Sequence, residues 1–200
     1  MPTGVALRDV RERLFDAAER VLLRDGPSAL TSRAVTAEAG CAKGVLHRHF
    51  TDFDDFLAEL VYDRTARLET QAAVLRGTAG TGSVVGNLTD ALMAVFGSVA
   101  VAIVALITFR DELRARLRRT WPVGVPLLAE AVNMTAAYLA DERELGRIDA
   151  DADVDTLAAA LIGAAHLLFA DRTGTPPTRE AVERTVATVL SGALAQRPLF

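Results

Sequence analysis

Eleven residues, Gly40 to Phe50 (GCAKGVLHRHF), gather one lysine, one arginine and two histidines in a chain that is otherwise mostly acidic and aliphatic. Cationic side chains so spaced, Lys43, His47 and Arg48, fall on one side of a short helix and suit phosphate oxygens and base edges better than an acid–base reaction. Other patterns that could do chemistry fail on their own spacing. In DADADVD, Asp149, Asp151, Asp153 and Asp155 alternate as in a calcium loop, but Val154 stands where an EF-hand needs glycine and Ala160 where it needs an acid. Helix capping is the reading that remains. His166 lies alone on an apolar segment with no second metal ligand three or four residues on, so it reads as a core or pocket histidine. Cys41 is the single cysteine, cannot form an internal disulfide, and reads as a small apolar residue. No nucleophile–base pair, phosphate loop or paired metal motif occurs, so no catalytic residue, metal or cofactor is expected.

Composition narrows the partners. Half of the 200 residues are apolar, enough for a substantial core. A net charge of −4 and a pI near 5.4 exclude a protein that coats nucleic acid by bulk charge, so any such contact must be local. The opening MPTGVALRDVRER lacks the apolar core of a signal peptide, and a reducing, cytoplasmic compartment is expected. Residues 91–109, ALMAVFGSVAVAIVALITF, carry no charge and are long enough for a membrane span. Gly97, Ser98, Thr108 and five alanines dilute that stretch and no basic cluster precedes it, so a buried central helix and no membrane are expected.

Every long patterned segment has a helical period and none alternates like a strand, which predicts an all-α fold of about nine helices. Val10, Leu14, Ala17, Ala18, Val21 and Leu22 mark a first helix ended by DGPSAL; Thr31 or Ser32 caps a second through Ala39; AKGVLHRHF forms a third. Phe53, Phe56, Leu57, Leu60, Val61 and Leu68 stripe a long fourth helix to about Arg76, after which GTAGTGS reads as a linker. Residues 110–122 form a charged amphipathic helix and VPLLAEAVNMTAAYLADEREL another, ended at Gly146. Asp151 or Asp153 caps a helix striped by Val154, Leu157, Leu161, Ala165 and Phe169, and TPPT opens the last. The expected organisation is a small N-terminal domain over 1–52, a connecting helix over 53–76, and a larger C-terminal domain over 77–200.

Two short helices joined at Gly40 and braced by a first make a helix-turn-helix, with Val35, Ala39, Cys41 and Leu46 inward and Lys43, Gly44, His47 and Arg48 outward. LTSRAVTAEAGCAKGVLHRHF resembles the tetracycline-repressor (TetR) family, matching its usual pattern at Thr31, Arg33, Ala39, Gly40, Lys43, Gly44, Leu46, His49 and Phe50. Thr36, Val45 and His47 differ from the residues usual in that family, and Phe53 stands where many relatives carry a lysine. Asp52, Asp54 and Asp55 around it favour a helix N-terminus and would repel a nearby phosphate. The expected DNA-contacting set is Thr31, Ser32, Arg33, Ala42, Lys43, Gly44, His47, Arg48 and His49. In it Arg33 reads a guanine edge, Arg48 meets base or phosphate, Lys43 meets phosphate, and His49 braces the helix junction.

The resemblance implies a dimeric, ligand-responsive DNA-binding repressor whose last two helices form the dimer interface. Small-residue apolar faces between 154 and 194, with Gly163 and Gly192, suit that homodimer. Phe96, Ile103, Phe109, Trp121, Met134, Tyr138 and His166, spread over several helices, are the expected lining for a small, mostly apolar or aromatic effector. Two other classes stay open: a constitutive DNA-binding helical dimer without an effector, and an α-helical enzyme or membrane-associated protein.

Overall fold

The computed structural model describes residues 4–170 and 175–195, with side chains from Val10 onward; the outermost residues of the expected domain ranges, 1–3 and 196–200, lie outside it. The described residues form ten α-helices and no strand: α1 Gly4–Asp25, α2 Ser32–Glu38, α3 Val45–His49, α4 Phe53–Arg76, α5 Val84–Phe96, α6 Ala100–Phe109, α7 Asp111–Leu117, α8 Pro126–Glu144, α9 Val154–Phe169 and α10 Arg179–Leu190. The chain divides into two compact units, one made of residues 1–64 and 102–125, the other of 65–101 and 126–200. The boundary falls inside α4 and inside α6.

In the first unit, the apolar face of α1 buries Leu14, Phe15, Ala17, Ala18, Val21 and Leu22. Gly26, at φ +82°, and a single 3₁₀ turn over Pro27–Ala29 then reverse the chain. Three rings make the centre: Phe15 lies 6.0 Å from Phe50 and 5.6 Å from Phe56, and Phe50 meets Phe56 edge-on at 5.0 Å. Beside them the Arg64 guanidinium, 4% exposed, reaches Asp16 at 3.1 Å and Glu12 at 3.7 Å, and pairs with Glu19 and Asp63. Trp121, beyond α7, stacks on Tyr62 of α4 at 5.4 Å.

In the second unit α9 packs on α8 and α10, and α5 packs on α8, α9 and α10. The end of α10 is tied beside the start of α9 by a single bridge: Asp149 N–H donates to Ala193 O at 2.8 Å and Ala195 N–H to Arg147 O at 3.1 Å. Asp153 is the α9 cap, accepting from Thr156 N–H, and this bonding holds its carboxyl below the usual range. Glu142, with no exposed surface, accepts from the Tyr138 hydroxyl at 2.5 Å and from Gly80 N–H at 3.3 Å and pairs with Arg147 at 3.3 Å. Asn87 of α5 donates to the same tyrosine oxygen at 2.9 Å and to Thr81 O at 2.9 Å. Burial, with the Glu142 bond second, pushes the Tyr138 hydroxyl well above its ordinary pKa, so it remains a donor.

The uncharged stretch 91–109 is not one helix. It is broken over Gly97–Val99, where α5 ends and α6 has not begun. Gly97 closes α5 by donating to Met93 O, and a Cβ there would meet that oxygen at 2.5 Å; the Ser98 hydroxyl donates to Val95 O. Glycine's low helix propensity and a serine side chain competing for backbone acceptors explain the interruption. Among the described residues no single helix is long and apolar enough to cross a membrane.

Two substitutions test these polar anchors. Arg64→Met strips the counter-charge from four carboxylates and should cost about 2–4 kcal/mol, read as a lower urea midpoint at unchanged m-value. Tyr138→Phe leaves a buried carboxylate oxygen short of a donor and should cost about 1–3 kcal/mol in the same measurement.

Candidate nucleic-acid interface

The turn between α2 and α3 is built by its own backbone. Gly40 adopts φ +64°, its N–H donates to Ala37 O at 3.1 Å, and Cys41 N–H reaches back to Thr36 O at 2.9 Å. This is a Schellman termination, whose left-handed conformation at that position favours glycine. Arg13 of α1 donates to Ala39 O at 3.1 Å and caps the same helix end. At the other end Thr31 Oγ1 accepts from Ala34 N–H at 3.1 Å. Val35 and Leu46 are fully buried and lock the two helices, while the Thr36 hydroxyl, buried at the contact, donates to Ser32 O at 2.9 Å. Ala39 and Cys41 are half-buried.

The outer face carries the expected set. Thr31, Arg33, Ala42, Lys43, Gly44, His47 and Arg48 are exposed; Ser32 and His49 are half-buried, with His49 6.5 Å from the Phe50 ring. Helix α3 itself spans only five residues, so Ala42, Lys43 and Gly44 sit in the turn that enters it. Among the described residues Arg33, Lys43 and Arg48 make no ion pair, as is also true of Arg118 and Arg119 beyond α7. Arg20 and Arg24 are both committed to Glu38, and Arg11 to Glu59 at 2.8 Å and to the Phe50 ring at 4.7 Å. Within α1 the arginines Arg11, Arg20 and Arg24 thus serve as internal struts, while those of the motif stay open to a polyanion.

The acidic corner that starts α4 is compensated by residues far along the chain. Asp52 Oδ1 accepts from Asp55 N–H at 2.7 Å and Asp55 Oδ2 from Thr51 N–H at 2.9 Å, a reciprocal cap. Arg116 of α7 pairs with Asp52 at 2.9 Å and Asp55 at 3.3 Å, and Arg110 pairs with Asp54 at 2.9 Å while lying 5.4 Å over the Phe53 ring. The backbone bond from Asp55, followed by Arg116, holds the Asp52 carboxyl below its usual range. Nothing in the order of residues signals these two arginines as partners of that corner.

The seven residues expected to line an effector site are divided between the units. In the first, Ile103 is buried, Trp121 covers Tyr62, and Phe109 is 60% exposed. In the second, Phe96 stacks on Phe169 at 5.9 Å and lies 6.1 Å from His166, whose Nδ1 is buried without a partner among the described residues. Met134 and Tyr138 are buried on α8, and both hydrogen-bonding directions of the Tyr138 hydroxyl are engaged by Glu142 and Asn87. Two recesses of the second unit are lined by other residues. One, of about 480 Å³, lies among Asp149, Asp153, Leu157, Val189 and Ala193; the other, of about 230 Å³, lies between the second half of α4 and α5.

Residues 14–60 match the family model described as bacterial regulatory proteins, tetR family. No curated protein matches the chain in sequence. Among solved structures it is similar to a TetR-family transcriptional regulator of Mesorhizobium loti, with 18% identity and TM-score 0.67 over 94% of this chain and 98% of that one. It is also similar to a γ-butyrolactone receptor described as ArpA-like, with 21% identity and TM-score 0.65 over 96% and 90%. A third is SmeT, the repressor of the Stenotrophomonas maltophilia multidrug efflux pump SmeDEF, with 18% identity and TM-score 0.64 over 95% and 92%. At these identities the likeness speaks for the fold. Residues 14–60 thus carry the sequence pattern of the bacterial regulatory proteins of the tetR family, and the chain has the fold of a TetR-family transcriptional regulator.

Proposed function

We propose that this chain is a ligand-responsive transcriptional repressor, which binds a palindromic operator as a homodimer and is released by a small, mostly apolar effector. The observation that carries the reading is the set of exposed, unpaired cations Arg33, Lys43 and Arg48 around a turn whose backbone geometry is fully determined. A rigid helix pair presenting open cations is what the major groove and its flanking phosphates require. Arg33 reads a base edge, Lys43 and His47 hold phosphate, and Arg48 serves either.

The homodimer is supported by the outer face of α9, where Ala159, Ala160 and Gly163 are exposed in line with Leu167, itself 77% exposed. A large apolar side chain at the end of a small-residue stripe suits cover by a second copy, with exposed Ala187 and Gly192 near the end of α10 extending the surface. The effector is supported by analogy of fold: one structure of this fold is a γ-butyrolactone receptor and another represses a multidrug efflux pump. Helix α4 is continuous from Phe53 to Arg76, with Phe56 and Leu57 buried in the first unit and its second half in the other, so it is the element through which occupancy acts on DNA affinity.

Footprinting on DNA upstream of the chain's own gene should protect an imperfect palindrome with half-sites about one helical turn apart or slightly more; a footprint without two-fold symmetry refutes the dimeric operator complex. Sedimentation should give a dimer at micromolar concentration. Arg33→Ala should weaken the operator complex by about 1–3 kcal/mol and relax preference at one base pair, whereas Lys43→Ala should weaken all sequences alike and lower the salt slope by about one. Wild-type binding by both variants removes the assignment.

A further inference from the structure

The first unit commits most of its arginines. Among the described side chains those of α1, Arg64 and those from Arg110 to Arg116 each donate to a carboxylate or a backbone carbonyl. Four are left with neither kind of partner among the described residues. Arg33 and Arg48 belong to the helix-turn-helix; Arg118 and Arg119 follow α7, exposed and adjacent. Neighbouring cations repel each other, and in a chain of net charge −4 this pair stands without a compensating carboxylate. The acids of α7, Asp111 and Glu112, lie at its first turn, and the carboxylates that start α4 are taken by Arg110 and Arg116. The pair is held in place from both sides. Arg116 lies 2.9 Å from Asp52, whereas the Thr120 hydroxyl meets that of Tyr62 at 3.2 Å and Trp121 stacks on the Tyr62 ring. Arg118 and Arg119 are therefore fixed along the first part of α4, which rises about 15 Å from Asp52 to Tyr62, and α3 ends at His49 just before that corner.

We infer that Arg118 and Arg119 are a second phosphate-binding pair of this unit, gripping the DNA backbone at the edge of the groove in which α3 lies. The inference rests on the DNA-binding reading above. The major groove is about 12 Å wide, so a helix at its centre has a ridge of phosphates about 6 Å to either side. Long side chains standing off the corner between α3 and α4 span that gap. A guanidinium suits the task, because it is always charged and its planar fork of donors matches phosphate oxygens. Arg110 and Arg116 make the contact possible by pairing with Asp52, Asp54 and Asp55, whose bare charges would repel a phosphate there. Cations after a helix also favour its dipole. The end of α7, however, is already closed by backbone bonds, from Arg118 N–H to Arg114 O and from Arg119 N–H to Arg116 O, which require no cationic side chain.

Phosphate contacts carry no sequence information, so the test is the salt dependence of binding by the full chain to two DNAs, the segment upstream of its own gene and an unrelated duplex, followed by fluorescence anisotropy. Arg118→Ser combined with Arg119→Ser should lower the slope of log Kobs against log salt concentration by about two for each protomer bound, and each single variant by about one, on both duplexes. The urea midpoint should stay at its wild-type value, and Arg118→Lys combined with Arg119→Lys should restore the wild-type slope. Ethylation interference should find phosphates at the groove edge whose modification hinders the wild-type chain and not the double serine variant. A double serine variant with the wild-type slope overturns the inference and leaves the DNA-binding reading standing. A lowered urea midpoint at the wild-type slope also overturns it, by assigning the pair to the α7 terminus alone. If the wild-type chain binds neither duplex, the DNA-binding reading falls and this inference falls with it.

Discussion

The first unit depends on one buried cation. Arg64 is almost wholly withdrawn from water, and a guanidinium in that position is tolerable only if its donors are met by acceptors of opposite charge. Helix α1 supplies three of them, Glu12, Asp16 and Glu19, at intervals of four and three residues, so that they stand on one face beside the apolar stripe, and Asp63 supplies the fourth. The carboxylates exceed the cation in number, but Glu12 and Asp16 are about half exposed and shed their mutual repulsion into solvent. This pairing fixes how α1 lies on α4, and the rings of Phe15, Phe50 and Phe56 then close around the end of α3. The placement of Arg48 and His47 is therefore set by a group that lies buried behind them.

The second unit inverts the arrangement, with a buried anion at its centre. Glu142 is stabilised by a hydroxyl, a backbone N–H and a guanidinium, and two of these come from elements distant in sequence from each other, Gly80 and Arg147. The segment between α4 and α5 is consequently no slack connection. Its carbonyls at Thr78, Thr81 and Gly82 are taken by Asn87 and Arg147, and Arg76 at the end of α4 pairs with Asp141 at 2.7 Å. The glycines of GTAGTGS serve the positive φ of Gly80 and Gly82, which bonded turns require as much as flexible linkers do.

That contrast marks where sequence is informative. The helix-turn-helix was legible because its determinants are local: the Thr31 cap, the Gly40 termination and the inward positions Val35 and Leu46 lie within sixteen residues and act through backbone geometry. The break at Gly97 was masked by uniform hydropathy, which measures burial and not continuity. Pairings such as Arg64 with Glu12 or Arg116 with Asp52 join residues some fifty to sixty positions apart, and a lone charge in a sequence does not name its partner. Aromatic content was a poor guide to empty space. Phe96, Trp121 and Tyr138 are used up in ring and hydroxyl contacts, whereas the α4–α5 cavity is walled largely by threonine, alanine and amide side chains, whose small size is what leaves room.

The acidic start of α4 shows how a departure from a familiar pattern can be resolved by a residue elsewhere. Taken alone, Asp52, Asp54 and Asp55 place three negative charges one short turn beyond α3, where a phosphate would be repelled. Arg110 and Arg116 reduce that excess to a single charge, and the reciprocal cap uses two of the three carboxylates for the helix as well. Phe53 has a matching explanation. Its ring carries the Arg110 guanidinium, and a lysine at the same position would oppose it with like charge and offer no face to stack on. Phe53 and Arg110 thus form one solution, in which the positive charge of this corner is provided by the segment joining α6 to α7 instead of by α4. That segment is accordingly a structural part of the first unit, in which residues 102–125 form one compact body with residues 1–64.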